Sequence, residues 1–422
     1  MSRETRSRKK DNNPGVRPVL KVELSEKNKR LKVIAIICFL AIALIAFGIG
    51  MFRILSKDPG WQEISVNVSD NKTCAQEFTL QYHLGASGIS ATAENKKITA
   101  LYTDTCEKAY SLFSAGEEFE DTVNVCTLNN NPNKTYTVDP VLYAAFEAIA
   151  DSGNRSIYLG PAYGYWQSLF NCESDADAAD FDPFVNEELS EYYSEIAAFA
   201  RDVEQVNLEL LGDGKVRLNV SKAYLAFAEN NGISVYIDFF WMKNAFIADY
   251  IADTLTKAGF TKGALSSYDG FSRCLDTSDT SYSLNLYDRR GGTVYPMAVM
   301  DYTGPKSIAV LKDFPLNKAD TLNYYVTENG EMRYPYADLS DGKCRAALTY
   351  LAAYSDSKGC ADIILSLSSL YIADSFDADS FASLKDKGIY GIYADGDRIV
   401  HTEKSVSLRD VFSSAEITYT VE

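Results

Sequence analysis

The chain has 422 residues, a formal net charge of −17 and only two histidines. This acidic balance disfavours binding to nucleic acid or to anionic lipid, because both carry negative charge themselves. Neither histidine lies in a recognisable nucleophile motif, and the sequence has no Walker-type or G-x-G-x-x-G loop, which disfavours hydrolase and nucleotide-kinase functions.

The N-terminal segment predicts a membrane anchor. Residues 33–52 contain no charged side chain, and a helix of twenty residues spans the roughly 30 Å hydrocarbon core of a bilayer. Residues 1–32 contain eleven Lys or Arg and four acidic residues, so the positive-inside rule places them in the cytoplasm. A cleaved signal peptide is the alternative, but its apolar core is usually about 7 to 15 residues long and precedes small residues. Here Phe52-Arg53-Ile54-Leu55 follows instead.

We therefore expect a cell-membrane protein with a single span and four parts. These are a basic cytoplasmic tail (1–32), a transmembrane helix (33–52), a linker (53–83) and a large extracytoplasmic domain (84–422). The tail carries an excess of seven positive charges, so subtracting it from −17 leaves about −24 on the rest of the chain. Seven cysteines follow the predicted span without any C-x-x-C pair, which argues against structural zinc and leaves the disulfide pattern open.

The first clear element of the predicted domain is a helix that starts at Asp139-Pro140. An N-cap aspartate followed by proline is typical of a helix start, and Gly153 predicts its end. Further along, a strand-like run at 233–240 precedes a helix predicted from Asn244 to Ala258, where Gly259 marks the stop.

Three more elements follow in the C-terminal third. Ser307 to Leu311 reads as a strand, and residues between Ala361 and Asp374 have apolar side chains at helical spacing. Residues 389–401 read as a hairpin around Asp395-Gly396. Together the elements predict an α+β fold class: a single-pass N-terminal transmembrane helix followed by a mixed α/β ectodomain.

Several segments between about Leu84 and Val400 follow the motif order of one known family. Residues 109–129 end in Leu128-Asn129, as in a family segment S-x-x-x-S-x-x-x-x-L-N, and Val138-Asp139-Pro140 is similar to its V-D-P helix start. In this order the segments resemble the ApbE family, the FAD:protein FMN transferases. The resemblance implies an ApbE-like ectodomain and a flavin-binding role for Asn129.

The family motif D-L-G-G-I-A-K-G-Y-A-x-D is similar to residues 238–249, with both aspartates retained. The resemblance implies catalytic roles for Asp238 and Asp249 and cofactor binding by Trp241 and Lys243. Phe240 and Trp241 replace glycines of the motif, and Lys243 lies one position before the family lysine. Glycines at such a turn let backbone N–H groups approach a pyrophosphate at a helix N-terminus.

Three later segments complete the resemblance. Ser266 to Gly270 is similar to N-L-G-G-D, and Tyr334 to Gly342 is similar to H-H-I-x-D-P-x-T-G. The residues that these two segments imply for cofactor binding are Asp269, Gly270, Asp338 and Gly342. The family sequence A-D-x-x-x-T binds magnesium through its aspartate and threonine, and it is similar to Ala361 to Ser366. Asp362 and Ser366, at positions i and i+4 of a helix, present the oxygen ligands that Mg²⁺ requires.

The resemblance implies a membrane-anchored extracytoplasmic flavin transferase-like protein. It would transfer FMN from FAD to a Thr or Ser of a partner protein in a Mg²⁺-dependent reaction, in a bacterial cell. One alternative is a catalytically degenerate module on the same fold that binds a flavin or a protein. Another is an envelope interaction protein that shares only the architecture and uses Tyr- and Phe-rich surfaces.

Overall fold

The computed structural model describes residues 57–67, 72–316, 320–403 and 405–422, together with Phe47. Apart from Phe47, the predicted tail and transmembrane helix lie outside the described residues. Within the described part of the chain, no helix is both long and apolar enough to cross a membrane. Residues from Asp58 to Glu422 form one compact unit.

The strands and helices are numbered in chain order. The strands are β1 (Gly60–Glu63), β2 (Phe78–Leu84), β3 (Thr135–Thr137), β4 (Val206–Gly212), β5 (Lys215–Val220), β6 (Gly263–Ser267), β7 (Phe271–Cys274), β8 (Ser281–Arg290), β9 (Thr293–Thr303), β10 (Lys306–Lys312), β11 (Tyr325–Val326), β12 (Met332–Arg333), β13 (Tyr350–Ser355), β14 (Tyr390–Asp395), β15 (Arg398–His401), β16 (Ser407–Arg409) and β17 (Thr420–Val421). The α-helices are α1 (Ala91–Phe113), α2 (Val125–Asn130), α3 (Pro140–Ser152), α4 (Gly160–Phe170), α5 (Asp175–Ala178), α6 (Glu187–Arg201), α7 (Lys222–Asn231), α8 (Lys243–Lys257), α9 (Cys360–Tyr371) and α10 (Ala378–Ala382).

A nine-stranded sheet organises the described domain, in the order β1-β2-β6-β7-β10-β13-β14-β15-β17. Its pairs are antiparallel except for β15 with β17. Two smaller three-stranded sheets have the orders β16-β9-β8 and β3-β5-β4. Since some neighbouring strands, such as β2 and β6, are far apart in sequence, the sheet brings distant segments to one place.

The central strands have an apolar core on each face. On β10, Ala309 and Leu311 belong to a core shared with the helices, whereas Ile308 and Val310 belong to a second core shared with β8, β9 and β16. Successive side chains of a strand point to opposite faces, so a strand covered on both sides is apolar throughout. This explains why every residue of β10 is buried.

Most of the predicted elements are present. α3 has Asp139 as its N-cap and ends at Gly153 in the left-handed conformation. α8 and α9 lie where helices were predicted, β10 contains the predicted strand from Ser307 to Leu311, and β14 pairs with β15 around the predicted turn. The predicted strand at 233–240 is wrong, because residues 233–239 are irregular and 240–242 form a 3₁₀ turn. The seven described cysteines are free thiols.

Candidate functional site

A cavity of about 630 Å³ lies beside the start of α8. Its wall is formed by the 3₁₀ turn Ala75–Glu77, the ends of α1 and α4, the segment before α8, the β6–β7 turn and the end of β10. Aromatic side chains supply much of the lining, and the acidic and basic groups among the lining residues are Glu77, Asp238, Lys243, Asp269, Lys312 and Asp320. The cavity therefore combines apolar walls with a small group of charged side chains.

The turn before α8 has a left-handed backbone at Phe240. The φ of Phe240 is +43°, a conformation that favours glycine and costs other residues roughly 1–2 kcal/mol. Asp238 Oδ1 accepts a hydrogen bond from the Phe240 amide at 2.9 Å, which stabilises the turn. The Phe240 ring stacks on Tyr163 with ring centroids 4.4 Å apart. The turn thus keeps a backbone suited to glycine while a phenyl ring occupies the adjacent space.

Asn129 fixes the segment that leads into this turn. Its Oδ1 accepts hydrogen bonds from the amides of Tyr236 and Ile237, both at 3.0 Å, and its Nδ2 donates to the carbonyl of Ile237 at 2.9 Å. These bonds satisfy backbone groups that a strand would have paired with a neighbouring strand. They explain why Tyr236 and Ile237 do not pair with a neighbouring strand.

Four polar side chains meet where α8 begins. Lys243 Nζ lies 3.1 Å from Glu77 Oε1, and Asn244 Nδ2 lies 2.9 Å from Glu77 Oε2. The same Asn244 nitrogen lies 3.0 Å from Asp269 Oδ2. The amide of Asn244 therefore bridges two carboxylates from different parts of the sheet.

Burial and neighbouring charges shift the pKa values of the ionisable groups beside the start of α8. Burial raises the pKa of Asp269 to about 6, and the charge of Glu77 acts in the same direction, whereas Ser267, Lys243 and Asn244 lower it. Burial alone would lower the pKa of Lys243, but the pairing with Glu77 outweighs burial and raises it. Burial also raises the pKa of Asp238. Lys243 therefore stays charged, whereas the pKa of about 6 leaves Asp269 half-protonated near pH 6.

A second ammonium group lines the cavity at the end of β10. Lys312 is 4% exposed, and its Nζ lies 3.4 Å from Asp320 Oδ2. Burial lowers the pKa of Lys312 in spite of this pairing. The Tyr324 hydroxyl donates to the Lys312 carbonyl at 2.8 Å and places an aromatic ring beside the ammonium group.

The structure brings four of the predicted site residues to the cavity: Asp238, Trp241, Lys243 and Asp269. Trp241 is buried and packs edge-on against Tyr336, with ring centroids 5.3 Å apart. Asn129 lies behind the wall and positions the turn. The roles predicted for these residues stay predictions.

Asp249 lies outside the cavity lining and caps another helix. Its two carboxylate oxygens accept hydrogen bonds from the amides of Cys360 (2.8 Å) and Ala361 (2.9 Å), at the start of α9, and it forms an ion pair with Arg273. A Cβ on Gly359 would lie 2.3 Å from Asp249 Oδ2, which explains the glycine there. The contacts of Asp249 are those of a residue that joins α8 to α9, and its catalytic role stays a prediction.

Three further predicted residues are also absent from the cavity lining, and each lies in a turn. Gly270 has a φ of +109°, and a Cβ there would lie 2.5 Å from the carbonyl oxygen of Val310. Gly342 has a φ of +75° and packs against Tyr193. Asp338 accepts a hydrogen bond from the Ser340 amide at 2.6 Å and pairs with Arg345 at 3.2 Å. The local structure of each turn therefore explains why that residue type is present at its position.

The predicted metal ligands Asp362 and Ser366 lie on α9, also outside the lining. Asp362 is exposed, and its Oδ2 lies 3.4 Å from the Gly359 amide at the helix start. Within the described ranges, no three His, Cys, Asp or Glu side chains converge on a point that could hold a metal ion.

Sequence reasoning missed Glu77, Asn244 and Lys312. One signal was present, because Asn244 stands at the lysine position when residues 238–249 are aligned with the family motif without gaps. Glu77 had no such signal, since it lies 166 positions before its partner Lys243. Glu77 lies in the turn before β2, and its carbonyl accepts a hydrogen bond from the Tyr268 amide of the β6–β7 turn at 3.1 Å.

Solved structures share this fold, although no model of a protein family matches the sequence and no curated protein matches it. The ApbE protein from Thermotoga maritima matches with a TM-score of 0.53 and 13% identity, over 83% of this chain and 96% of that protein. The flavin transferase ApbE from Vibrio cholerae also gives a TM-score of 0.53, with 11% identity over 83% of this chain and 97% of that protein. The chain therefore has the mixed α+β fold of these ApbE proteins, which confirms the resemblance at the level of the fold.

Proposed function

We propose that this protein binds a flavin nucleotide in the cavity and is a flavin transferase-like protein that moves FMN from FAD to a Ser or Thr hydroxyl of an acceptor protein. The observation that carries the proposal is the left-handed turn at Phe240, which leads directly into the 15-residue helix α8 at the cavity wall. A helix N-terminus reached through such a turn presents backbone N–H groups and a positive dipole end to phosphate. The fold shared with the ApbE proteins supports the same function.

The cavity suits a flavin nucleotide in size and chemistry. Its volume of about 630 Å³ falls within the roughly 300–1,000 Å³ of small-molecule sites. Trp241, Tyr324 and Tyr336 line it and offer aromatic surface to a ring system. Lys243 and Lys312 offer positive charge to phosphate groups.

The magnesium ion that the resemblance implies does not fit Asp362 and Ser366 in this structure. Their oxygens are suitable ligands by type, but neither residue lines the cavity, and Asp362 is exposed at the start of α9. A cation held there is not placed to contact a nucleotide in the cavity.

In the proposed transfer, the acceptor hydroxyl oxygen forms a bond to the phosphorus of the FMN part, and the bond from that phosphorus to the AMP oxygen breaks. The hydroxyl proton passes to a base, and AMP leaves. Asp238 is the candidate base because it lines the cavity and follows the segment fixed by Asn129. Burial raises the pKa of Asp238, which makes its carboxylate a better proton acceptor.

A second candidate function is flavin binding without transfer. It is favoured by the Phe240 ring, which stacks on Tyr163 at a position where the family motif has a glycine. The exposed position of Asp362 favours it as well.

Incubation of the purified full-length protein with FAD and Mg²⁺ distinguishes these functions. Release of AMP together with covalent flavin fluorescence on an acceptor protein supports transfer. Bound FAD without AMP release supports the second function. Absence of flavin binding at millimolar FAD contradicts both.

We also propose that residues 33–52 anchor the domain to the outer face of the cell membrane. The uncharged run and the basic residues before it support this location. In a bacterial host, the full-length protein should resist extraction by alkaline carbonate, and external protease should digest its C-terminal domain in spheroplasts. Digestion only after the spheroplasts are lysed contradicts the orientation.

A further inference from the structure

Two buried cysteines lie against each other beside the cavity. Cys74 is 1% exposed and precedes the 3₁₀ turn Ala75–Glu77, whereas Cys106 is fully buried in α1. The amide of Cys74 donates a hydrogen bond to the Cys106 carbonyl at 3.4 Å, and the Cys74 thiol donates to the same oxygen at 3.3 Å. The side chain of Cys74 is therefore directed towards Cys106.

The two side chains are also close enough to affect each other's chemistry. A hydrogen bond with the Cys106 side chain raises the pKa of Cys74 well above its ordinary value, and burial acts in the same direction. Residues joined by backbone hydrogen bonds across antiparallel strands have Cα atoms about 5.5 Å apart, and disulfides span Cα separations of roughly 4.4–6.8 Å. The backbone contact between Cys74 and Cys106 is thus of the kind that a disulfide requires.

The other cysteines with hydrogen bonds have partners of a different kind. The Cys126 sulfur accepts from a side-chain amide, and the thiols of Cys172 and Cys360 donate to backbone carbonyls of residues that are not cysteines. Among the residues that the structure describes, Cys74 and Cys106 are the one pair of cysteines joined by a hydrogen bond. The contacts therefore indicate a single pairing among the seven described thiols.

We propose that Cys74 and Cys106 form a disulfide bond that ties the 3₁₀ turn of Glu77 to α1. The proposal rests on the proposed location of the domain outside the cytoplasm, because disulfides persist in oxidising compartments and are rare in the cytosol. Cys74 and Glu77 line the cavity together with the end of α1. The bond therefore joins two parts of the cavity wall and stabilises the turn from which Glu77 reaches Lys243.

The bond forms by exchange with an oxidant that carries a reactive disulfide, such as a thiol–disulfide oxidoreductase. One cysteine of the chain, as a thiolate, attacks a sulfur of this disulfide and displaces the other, which gives a mixed disulfide. The second cysteine then attacks the mixed disulfide, so the new S–S bond forms and the oxidant leaves as two thiols. The cysteine pair loses two electrons and two protons, and the oxidant gains them. Because both cysteines are buried in the folded domain, the exchange takes place while the chain folds.

Refolding of the full-length protein in a glutathione redox buffer tests the pairing independently of its location. The reduced protein is unfolded in urea with detergent, transferred to oxidised and reduced glutathione, alkylated and digested without reductant. Mass spectrometry should find the peptides of Cys74 and Cys106 linked to each other and the other cysteines alkylated. Cys106→Ser should leave Cys74 alkylated. The matched control Cys360→Ala removes another buried thiol and should keep the linkage.

Thermal unfolding gives a second measurement. The bond joins residues 32 positions apart, and a disulfide stabilises mainly by restricting the unfolded chain, so reduction should lower the Tm by about 5 °C. The Tm of the double variant Cys74→Ala/Cys106→Ala should not respond to reductant.

Alkylated thiols at both positions in the refolded wild type would overturn the proposal, and so would linkage of either residue to a different cysteine. Linkage of the pair in the glutathione buffer, but alkylation of both thiols in intact bacterial cells, would support the pairing and contradict the proposed location. Since no flavin is present, neither result bears on the proposed binding of FAD.

Discussion

Phe240 stacks on Tyr163, with ring centroids 4.4 Å apart and ring planes 22° apart, while its own backbone is left-handed. The contact supplies about 0.5–1.5 kcal/mol beyond the burial of the rings, which is similar in size to the conformational cost of the backbone. A phenyl ring can therefore occupy a glycine conformation here because its stacking partner offsets the strain.

Replacement of Phe240 by glycine and by alanine should separate the strain of the left-handed backbone from the stabilisation by ring stacking. Both variants lose the ring, but only Phe240→Gly is relieved of the left-handed strain, so we expect it to be more stable than Phe240→Ala by about 1 kcal/mol. The measurement is the free energy of unfolding in urea. Equal stability of the two variants, or greater stability of Phe240→Ala, would contradict the conformational argument.

Ala245→Gly provides a matched control at another glycine position of the family motif. Ala245 is buried within the regular helix α8. Glycine there should reduce stability by about 1 kcal/mol, because it raises the entropy of the unfolded chain without relieving any strain. Glycine should therefore be more stabilising than alanine at position 240 and less stabilising than alanine at position 245.

Asn129→Ala should destabilise the protein by about 2 kcal/mol and should weaken FAD binding. The substitution leaves the amides of Tyr236 and Ile237 and one carbonyl without partners in a buried place. Thermal unfolding and FAD fluorescence quenching measure the two effects. Asn130→Ala is the control, since Asn130 is exposed and hydrogen-bonds to Glu118, and it should change neither quantity appreciably. Unchanged stability of Asn129→Ala would show that the segment 233–239 does not depend on this side chain.

The sequence predicts those parts of the fold whose signals are local. Asp139-Pro140 and Gly153 bound α3 because an N-cap, a proline and a left-handed glycine act within a few residues of the helix ends. The run 233–240 is apolar enough for a strand, but a side chain more than 100 positions away takes its backbone hydrogen bonds. No pattern within the run could reveal that.

The candidate site was predictable only in part for a similar reason. The motif at 238–249 indicates the turn and α8, since both depend on adjacent residues. Phenylalanine itself gives no sign of a positive φ, and only the glycine of the family motif at this position could indicate the backbone of Phe240. Glu77 lies just before β2 and Lys243 begins α8, so their contact depends on how elements distant in sequence pack together.

Asp249 offers a test of a structural role against a catalytic one. Asp249→Ala removes the cap of α9 and leaves Arg273 without this partner, so we expect a loss of about 3 kcal/mol in stability. Asp249→Asn keeps one acceptor oxygen and should lose less. Both variants should bind FAD normally below their unfolding temperatures. A fully stable Asp249→Asn protein that binds FAD but has lost transfer activity would instead support the predicted catalytic role.

The stability of the protein should depend on pH through Asp276, which is 2% exposed. Burial alone would raise its pKa, but hydrogen bonds from Ser278 and Tyr282 and the charge of Lys262 outweigh burial and lower the pKa to about 2. An unfolded aspartate has a pKa of about 3.9, so the folded state binds the proton less tightly than the unfolded state does. The stabilisation is therefore complete above about pH 4 and is lost as the pH falls to about 2.

Asp276→Asn should be less stable than the wild type by about 2 kcal/mol at pH 7, and the two proteins should converge near pH 2. Urea unfolding at a series of pH values measures this. The exposed neighbour Asp279 serves as the control, and at pH 7 Asp279→Asn should be about as stable as the wild type because its side chain is exposed. If the free energies of unfolding of Asp276→Asn and the wild type differed by the same amount at every pH, the titration of Asp276 would not be the cause of the difference.

Lys312 and Lys306 lie at opposite ends of β10 and are both 4% exposed, but only Lys312 lines the cavity. Lys306 pairs with Asp356 instead. If the cavity binds a flavin nucleotide, Lys312→Met should weaken FAD binding by about ten-fold, because a charge-assisted contact to phosphate contributes about 1.5–3 kcal/mol. Riboflavin, which has no phosphate, should bind equally well to Lys312→Met and to the wild type. Lys306→Met should leave the affinity for FAD unchanged even if it lowers stability. Equal weakening of riboflavin and FAD by Lys312→Met would mean that the lysine shapes the cavity and does not contact phosphate.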